Sequence, residues 1–357
     1  MQKQKNGMVD IYKFILAVTI AYGHAHIVGV ETPIHHLTNL VEGFLLITGY
    51  YTNEHFKNTP NIEVADIFVY TYHKFKRFFI YVFISVFVAY MIVMFGKPIV
   101  YGESLFVAAK KWLDFPFDAL LLNSISSEIG YFLPQLWTLS NMLIVFPAVC
   151  FFCCMSNKNV KTLIALYFPL LFYASLEPAF GTTEFPTYIL RAIAGLLIGV
   201  FINELQPILN KMMENRRGGY CISPKLMFLF ANLMMLGALA LTYCGSERMR
   251  LITWLEILGL ALILDKNITY SLTANYFTGI LGKSSMILYI WHMTPIIIAS
   301  YLLMGWDSKI RAILVLSTEA IGTVLLLMLS LLCDKLKVKK IKNRKEMAYG
   351  KKEIQYS

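Results

Sequence analysis

Charged residues are scarce in this chain. Only 15% of its 357 residues are Asp, Glu, Lys or Arg, whereas 57% are hydrophobic. Soluble globular domains carry about a quarter charged residues, so this composition excludes a soluble protein and predicts an integral membrane protein. Near-continuous apolar runs follow one another along the sequence and leave no room for a sizeable soluble domain.

Acidic residues are scarcer than basic ones, and the formal net charge is +10. A basic protein can bind nucleic acid. Here, however, the basic residues collect between the apolar runs and in the C-terminal tail, which is the distribution that membrane topology requires. We therefore expect membrane lipids as partners of the basic segments, and no nucleic acid.

Cysteine is also rare, with six residues in the whole chain. Three of them fall in one apolar run, FPAVCFFCCM, with no His or carboxylate beside them. This pattern is typical of small, reduced, buried side chains and predicts neither a metal site nor a disulfide framework. An internal repeat strong enough to indicate the inverted halves of a secondary transporter is missing as well.

What the chain does contain is a series of apolar segments of the length that a membrane helix needs, about 20 residues. The predicted segments are 9–29, 37–53, 78–96, 137–155, 160–176, 187–206, 225–243, 250–266, 284–304 and 309–333. Most of the basic residues fall in connections on the side of the N-terminus. The positive-inside rule therefore predicts an all-α polytopic protein with about ten transmembrane helices and both termini cytoplasmic.

Two regions lie outside this regular series. Residues 97–136 could form a further amphipathic or re-entrant helix. At the end of the chain, residues 335–357 are predicted to form a basic cytoplasmic tail that faces the anionic inner leaflet. Residues 1–334 then constitute the membrane domain.

The first predicted span carries Asp10, Lys13 and His24 among apolar residues. An ionisable side chain within a membrane is costly and is by default a candidate functional residue. On an α-helix, Lys13 and His24 lie within roughly 20° of one face and about 16 Å apart along the axis. Asp10 lies near the same face but roughly 21 Å from His24, too far for direct contact. The pattern predicts a polar path along this helix.

Six different short motifs follow one another in a defined order and together cover most of the chain. They are DIYKFILAVTIAYGH from Asp10, VEGFLLITGYY from Val41, YHKFKRFF from Tyr72, QLWTLSNMLIVF from Gln135, YILRAIAGLLIGVFI from Tyr188 and LGKSSMILYIWHMTPII from Leu281. Together they resemble the membrane-bound acyltransferase 3 family, of the type that acylates bacterial surface polysaccharides. The chain has Lys13 where the family has Arg, Thr48 where it has Ser, and no Pro after Arg77.

The resemblance implies an integral membrane O-acyltransferase of a bacterial cell membrane. Such an enzyme moves an acyl group, with acetyl expected, from acyl-CoA to a hydroxyl of a surface or secreted polysaccharide or of a lipid-linked glycan. Acyl-CoA is then the donor co-substrate, and no bound cofactor is expected. The acceptor hydroxyl attacks the thioester directly, or the acyl group passes through an acyl-His intermediate.

Acyl transfer to a hydroxyl needs a base, and His is suited to this because its ordinary pKa lies near neutrality. The motif match and its place in the first span make His24 the expected general base. Because Asp10 is too far away, the candidate partners of His24 are Glu42 and His292 on other helices. Glu42 either orients His24 or is a loop-end charge that reaches water. Asp10 either sets the charge at the cytoplasmic end of the polar path or simply pairs with Lys13.

The donor phosphates would suit a cationic cluster at the cytoplasmic end. The resemblance assigns donor binding to Lys13, Lys74 and Arg77. The alternative for Lys74 and Arg77 is ordinary positive-inside charge.

Four further residues are candidates for substrate binding or for lining a cavity: His292, Arg191, Trp137 and Tyr289. His292 is either a second polar member of the cavity or a structural residue at a helix kink near Pro295. Arg191 either binds the acceptor or neutralises Glu184.

The main rival function is a secondary transporter or glycan flippase. In that case Asp10, Lys13 and His24 would form a proton or substrate path. A sensory or scaffolding membrane protein is a weaker rival, because such a protein has no need for charges inside the membrane.

Overall fold

A computed structural model describes most of the chain. The described residues are 6–29, 32, 38–57, 59, 62–122, 132–175, 185–213, 223–244, 249–265, 275–303 and 305–355. This part is 88% helical and contains no strand, as the all-α prediction requires.

The helices are numbered in chain order. They are α1 (Gly7–His24), α2 (Thr38–Lys57), α3 (Val64–Tyr101), α4 (Leu105–Lys110), α5 (Phe115–Ala119), α6 (Leu136–Cys153), α7 (Lys158–Ser175), α8 (Phe185–Met213), α9 (Pro224–Tyr243), α10 (Met249–Ile263), α11 (Tyr276–Trp291), α12 (Met293–Leu302) and α13 (Ser308–Gln355). Single 3-10 turns follow α1 (Ala25–Val28) and α4 (Lys111–Leu113).

Seven stretches within the described residues are long and apolar enough to cross a membrane. They are Gly7–Val28, Val64–Tyr101, Leu136–Cys153, Thr187–Ile208, Pro224–Tyr243, Tyr276–Leu302 and Ser308–Leu336. Helices α9 and α13 expose many of their large apolar side chains, as expected for surfaces that contact lipid. The protein is therefore membrane-embedded. Each of the ten predicted segments falls largely on helical residues, but α2, α7 and α10 are not among these seven stretches, and α10 is too short, with 15 residues.

The helix between residues 276 and 302 breaks at His292, where α11 ends and α12 begins. Pro295 explains the position of the break. Its ring clashes with the carbonyl four residues earlier, that of Trp291, and it has no N–H to donate there. The sequence therefore predicts this kink correctly, and the kink places His292 at a discontinuity of the backbone.

Helices α2 and α8 pack with their backbones in close contact at two glycines. A Cβ atom built on Gly49 would lie 1.9 Å from the carbonyl oxygen of Leu196, and one built on Gly199 would lie 2.0 Å from that of Leu46. Small residues at membrane helix interfaces permit such an approach. Gly49 and Gly199 thus permit the close packing of α2 against α8.

The region after α3 forms neither a long helix nor a simple loop. Helices α4 and α5, joined by the 3-10 turn, fold back onto the end of α3. Aromatic side chains mediate this packing, with the Trp112 ring 5.1 Å from Phe115 and 6.1 Å from Tyr90 between centroids. Between residues 97 and 122, the described part of this region thus contains the end of α3, two short helices and one 3-10 turn.

A buried polar network joins α2, α7 and α8. The Glu204 carboxylate pairs with Lys161 at 2.7 Å and with Lys57 at 3.3 Å. The Asn53 amide donates to Glu204 at 2.8 Å and to Asn203 at 2.9 Å. Both oxygens of the carboxylate are satisfied, which makes this a structural clamp between three helices.

The boundary expected at residue 335 lies inside a helix. Helix α13 continues without interruption from Ser308 to Gln355. Near its middle, Lys283 of α11 pairs with Asp334, which holds α13 against α11. The basic tail is thus a helical extension of the last membrane helix.

Candidate functional site

The structure brings His24 and His292 together, although 268 positions separate them in the sequence. His24 is the last residue of α1, just before the helix tightens into a 3-10 turn. His292 lies at the break between α11 and α12. The Nε2 atom of His292 is 3.3 Å from Nδ1 of His24, and the two ring centroids are 5.2 Å apart. His292 is fully buried, whereas His24 is half-buried.

The hydrogen bonds of the two rings determine which nitrogen carries a hydrogen in each neutral imidazole. Nδ1 of His292 lies 2.9 Å from the carbonyl oxygen of Tyr289, which can only accept, so Nδ1 donates and Nε2 holds a lone pair. Nδ1 of His24 lies 3.0 Å from the carbonyl oxygen of Ile20 and therefore also donates. Its N–H is shared between this carbonyl and Nε2 of His292.

In this tautomer, Nε2 of His24 carries a lone pair and no hydrogen. It has no hydrogen-bond partner among the residues that the structure describes. A positioned imidazole with a free lone pair can remove a proton from a substrate hydroxyl. If the ring gains that proton, its Nδ1–H still points at the lone pair of His292, which stabilises the cation.

Side chains from two other segments hold the kink beside the histidines. The carbonyl oxygen of Ile290 accepts hydrogen bonds from Ser85 of α3 at 3.2 Å and from the side chain of Gln135 at 2.8 Å. Ser85 also bonds to the Thr294 hydroxyl. These contacts tie the backbone two residues before His292 to α3 and to Gln135, and so help to fix the position of His292.

Asp10 and Lys13 form an ion pair at 3.5 Å, one turn apart on α1. Asp10 packs against Gly282 of α11, where a Cβ atom would approach its carboxylate to 2.4 Å. Asp10 therefore lies where α1 and α11 meet and has Lys13 as its ionic partner, one of the two outcomes expected from the sequence. It makes no contact with His24.

The three cations expected to bind the donor lie near one another. The charges of Lys13 and Arg77 both act on the ammonium of Lys74. The Lys74 ammonium lies 5.9 Å from the ring centre of Tyr70 and 5.8 Å from that of Phe146. Within the described residues, neither Lys74 nor Arg77 has an acidic partner.

This cation cluster (Lys13, Lys74 and Arg77) and the histidine pair are separated along the helix axes. Along α1, eleven residues separate Lys13 from His24, which is about 16 Å. Along α3, eleven residues also separate Lys74 from Ser85, which supports the kink at His292. Measured along α1 and along α3, the cation cluster is thus about 16 Å from the level of the histidine pair.

Glu42 pairs with Arg191 and not with His24. The Glu42 carboxylate contacts the Arg191 guanidinium and accepts a hydrogen bond from the Tyr173 hydroxyl at 2.6 Å. Both charged side chains are almost fully buried, at 2% and 3% exposure. The geometry therefore makes Glu42 a partner of Arg191 between α2 and α8. Glu184, the other expected partner of Arg191, lies outside the described residues.

The remaining candidates connect Arg191 to the histidines. The Arg191 guanidinium carbon lies 5.6 Å from the ring centre of Trp137. The Tyr289 hydroxyl donates to the carbonyl oxygen of Gln135 at 3.3 Å, and its ring centre lies 6.0 Å from that of His292. Arg191, Tyr289 and His292 are thus buried, Trp137 is half-buried, and Trp137 and Tyr289 pack in the same apolar core.

Sequence reasoning missed two buried carboxylates. Glu256 of α10 is 1% exposed, and its carboxylate oxygens have no hydrogen-bond partner among the described residues. Glu319 of α13 is 5% exposed, and its Oε1 atom has no partner in the same part of the chain. The rule that singles out His24, an ionisable residue within an apolar span, would have found both.

The site can therefore support proton transfer at His24, and a cluster of cations lies about 16 Å away along α1. Among the described residues, no group of His, Cys, Asp or Glu could hold a metal ion. Comparison with other proteins adds nothing to this geometry: no family model, no curated protein and no solved structure matches the chain.

Proposed function

We propose that this protein is an integral membrane O-acyltransferase of the acyltransferase 3 type. It transfers an acyl group, with acetyl expected, from acyl-CoA to a hydroxyl of a surface or secreted polysaccharide. The observation that carries the proposal is the His24–His292 pair, in which a buried neighbour orients one imidazole and leaves its Nε2 free as a base. The motif order described above supports the same reaction.

In the proposed reaction, Nε2 of His24 takes the proton of the acceptor hydroxyl as its oxygen attacks the thioester carbonyl. The new C–O bond forms, the C–S bond breaks, and the proton passes from His24 to the departing CoA thiolate. His292 keeps the imidazolium in place by accepting from its Nδ1–H, a function that a carboxylate performs in many acyl-transfer triads. Direct attack requires no further nucleophile.

The cation cluster would bind the phosphates of the donor. CoA carries its phosphates at one end and its thiol at the other, joined by a long flexible arm. A separation of about 16 Å between the cations and His24 suits a donor that binds by its phosphates and extends its thioester along α1. One carboxylate, Asp10, opposes three cations, so the cluster keeps a net positive charge.

The topology completes the proposal. We place ten helices across a bacterial cell membrane, both termini and the cation cluster at the cytoplasmic side, and the far end of α3 at the outer side. Under this arrangement the donor arrives from the cytoplasm and the glycan from outside. The two substrates then meet at the histidine pair.

Acceptor-dependent release of CoA is the first test. Purified protein in proteoliposomes, supplied with acetyl-CoA and with surface-glycan fragments from cells that encode it, should release free thiol that a thiol reagent detects. Omission of the fragments should reduce the release at least tenfold. A protein that moves the glycan across the bilayer and releases no thiol would contradict the proposal.

Donor binding predicts a second result. Replacement of Lys74 by Met should raise the KM for acetyl-CoA about tenfold or more, because a charge-assisted hydrogen bond is worth about 1.5–3 kcal/mol. The kcat at saturating donor should change little, since the phosphates are remote from the reacting bond.

The matched control is Lys76→Met. Lys76 is on the same helix, but it is exposed and its ammonium lies over the Tyr72 ring, at 5.3 Å from the centroid. An equal rise in KM for the two variants would mean that α3 supplies only general surface charge, and Lys74 would then not be a donor ligand.

A proton-coupled transporter is the second candidate function. The observation in its favour is that two carboxylates are buried in helices of the bundle. Among the described residues, Glu256 has no hydrogen-bond partner at either carboxylate oxygen, and Glu319 has none at Oε1. Proton pathways use such carboxylates. If Glu256→Gln abolished glycan export while acetyl transfer continued, export and acyl transfer would be separate activities of one chain.

A further inference from the structure

A partly open cavity lies at the end of α3 that is farthest from the cation cluster. Its volume is about 50 Å³, several times what one water molecule needs. Helices α3 and α4 and the 3-10 turn after α4 form its walls. Its lining includes Tyr90, Lys97, Glu103, Trp112 and Phe132.

Aromatic rings form a large part of the wall. The ring centres of Tyr90 and Phe132 are 4.3 Å apart, and those of Tyr90 and Trp112 are 6.1 Å apart. A hydrogen bond from the Tyr90 hydroxyl to the buried Asp118 carboxylate, at 2.6 Å, fixes the Tyr90 ring. The cavity therefore presents rigid, flat apolar surfaces to whatever enters it.

The polar groups of the cavity are few and distinct. The indole N–H of Trp112 is buried and has no hydrogen-bond partner among the described residues. At the rim, the Lys97 ammonium lies 3.9 Å from the Glu103 carboxylate and 4.4 Å from the ring centre of Tyr301. The cavity thus offers donors and an acceptor next to aromatic faces.

Helix α12 connects this cavity to the histidine pair. It begins next to His292 and packs along α3 as far as Gly96, which contacts Leu302. From His292 to Tyr301, whose ring stacks on Phe132 at 5.8 Å, the rise is about 13 Å. The histidine pair therefore lies between the cation cluster on one side and the cavity on the other.

We propose that this cavity is a binding subsite for one sugar unit of the acceptor glycan. The assignment rests on the proposed acyltransferase function. A sugar ring has C–H faces that stack on aromatic rings and hydroxyl groups that bond to an indole N–H, an ammonium and a carboxylate. Since the cavity is about 13 Å from His292, it holds a unit of the glycan other than the one that is acylated. The donor, bound at the opposite end, does not enter it.

The test compares three variants in the full-length protein. Trp112→Phe keeps an aromatic ring and removes the N–H, and Trp112→Ala removes both. Trp254→Phe is the control, because Trp254 is 41% exposed on α10, away from the cavity. The probe is a set of fluorescently labelled fragments of the surface glycan from cells that encode the protein. Binding is measured by fluorescence anisotropy, which requires no catalysis, and the KM values for fragments and for acetyl-CoA are measured separately.

We expect Trp112→Phe to weaken fragment binding roughly threefold to tenfold, as loss of one hydrogen bond does. Trp112→Ala should weaken it further. The control should bind like the wild type, and the KM for acetyl-CoA should stay within twofold in all variants. Should Trp112→Ala fail to fold, Trp112→Phe still provides the test.

Other outcomes overturn the assignment. Wild-type protein that binds no fragments, or a Trp112→Phe variant that binds them as well as the control does, would exclude a sugar subsite. A rise in the KM for acetyl-CoA would assign the cavity to the donor. If the wild type binds fragments through Trp112 but transfers no acetyl group, the subsite stands and the proposed function fails.

Discussion

Replacement of His24 by Asn should lower kcat about 1000-fold while the protein stays folded. The Asn side chain can still donate to the Ile20 carbonyl from a position close to that of Nδ1, but it has nothing in place of Nε2. The variant therefore retains the local hydrogen bond and loses the base, and general-base catalysis contributes about 100-fold to 10,000-fold. Acetyl transfer to glycan, measured at saturating substrates and equal amounts of folded protein, checks this value.

His292 supplies the matched comparison. His292→Gln keeps an acceptor near the position of Nε2 and should retain most of the activity, whereas His292→Leu removes the acceptor and should lower kcat roughly tenfold or more. The KM for acetyl-CoA should not change in either variant. A purely packing function would give the opposite order, since Leu is the better core residue. Activity in His24→Asn within tenfold of wild type would remove His24 from the chemistry.

Replacement of Gly49 by Leu should prevent the protein from accumulating in its folded form. Even the first added carbon would lie 1.9 Å from the Leu196 carbonyl oxygen, and backbone cannot move aside as a flexible side chain can. Overpacking of ordinary cores costs about 1–3 kcal/mol, and contact with a helix backbone over the α2–α8 interface should cost more. Gel filtration and thermal unfolding of detergent-solubilised protein measure the effect.

Gly237 of α9 provides the control for this prediction. A Cβ atom there would meet its nearest neighbour, Leu255, at an ordinary distance of 3.8 Å. Gly237→Ala should therefore be neutral or stabilising by up to about 1 kcal/mol, because Ala is the better helix former. Gly49→Ala should lower the unfolding temperature. If both alanine variants unfold at the wild-type temperature, the close approach of α2 and α8 is not what holds them together.

The order of the helices could be read from the sequence because it depends on local properties. Apolar runs predict spans, Pro295 predicts the break before it, and Gly49 predicts close packing. The sequence left two interpretations of Asp10, which lies three residues before Lys13, and an ion pair with Lys13 was one of them. None of these inferences requires knowledge of how the helices are rotated against one another.

The partners of the buried charges depend on that rotation, and here sequence reasoning reached its limit. In a membrane helix the lipid-facing and core-facing sides are both apolar, so the sequence carries little signal for which side faces which neighbour. Glu42 was therefore a reasonable partner for His24, yet the structure pairs it with Arg191 and Tyr173. Glu42 and His292 were both candidate partners of His24 from the sequence, and the structure shows that His292 is the one in contact with it.

The central step of the proposed reaction is transfer of an acyl group to a glycan hydroxyl at His24. The most direct measurement uses purified protein in proteoliposomes with acetyl-CoA labelled in the acetyl group and with glycan fragments from cells that encode it. We predict label in the glycan as an alkali-labile ester with the wild type and at least 100-fold less with His24→Asn. Absence of labelled ester with folded wild-type protein, or equal labelling by the two proteins, would contradict the account.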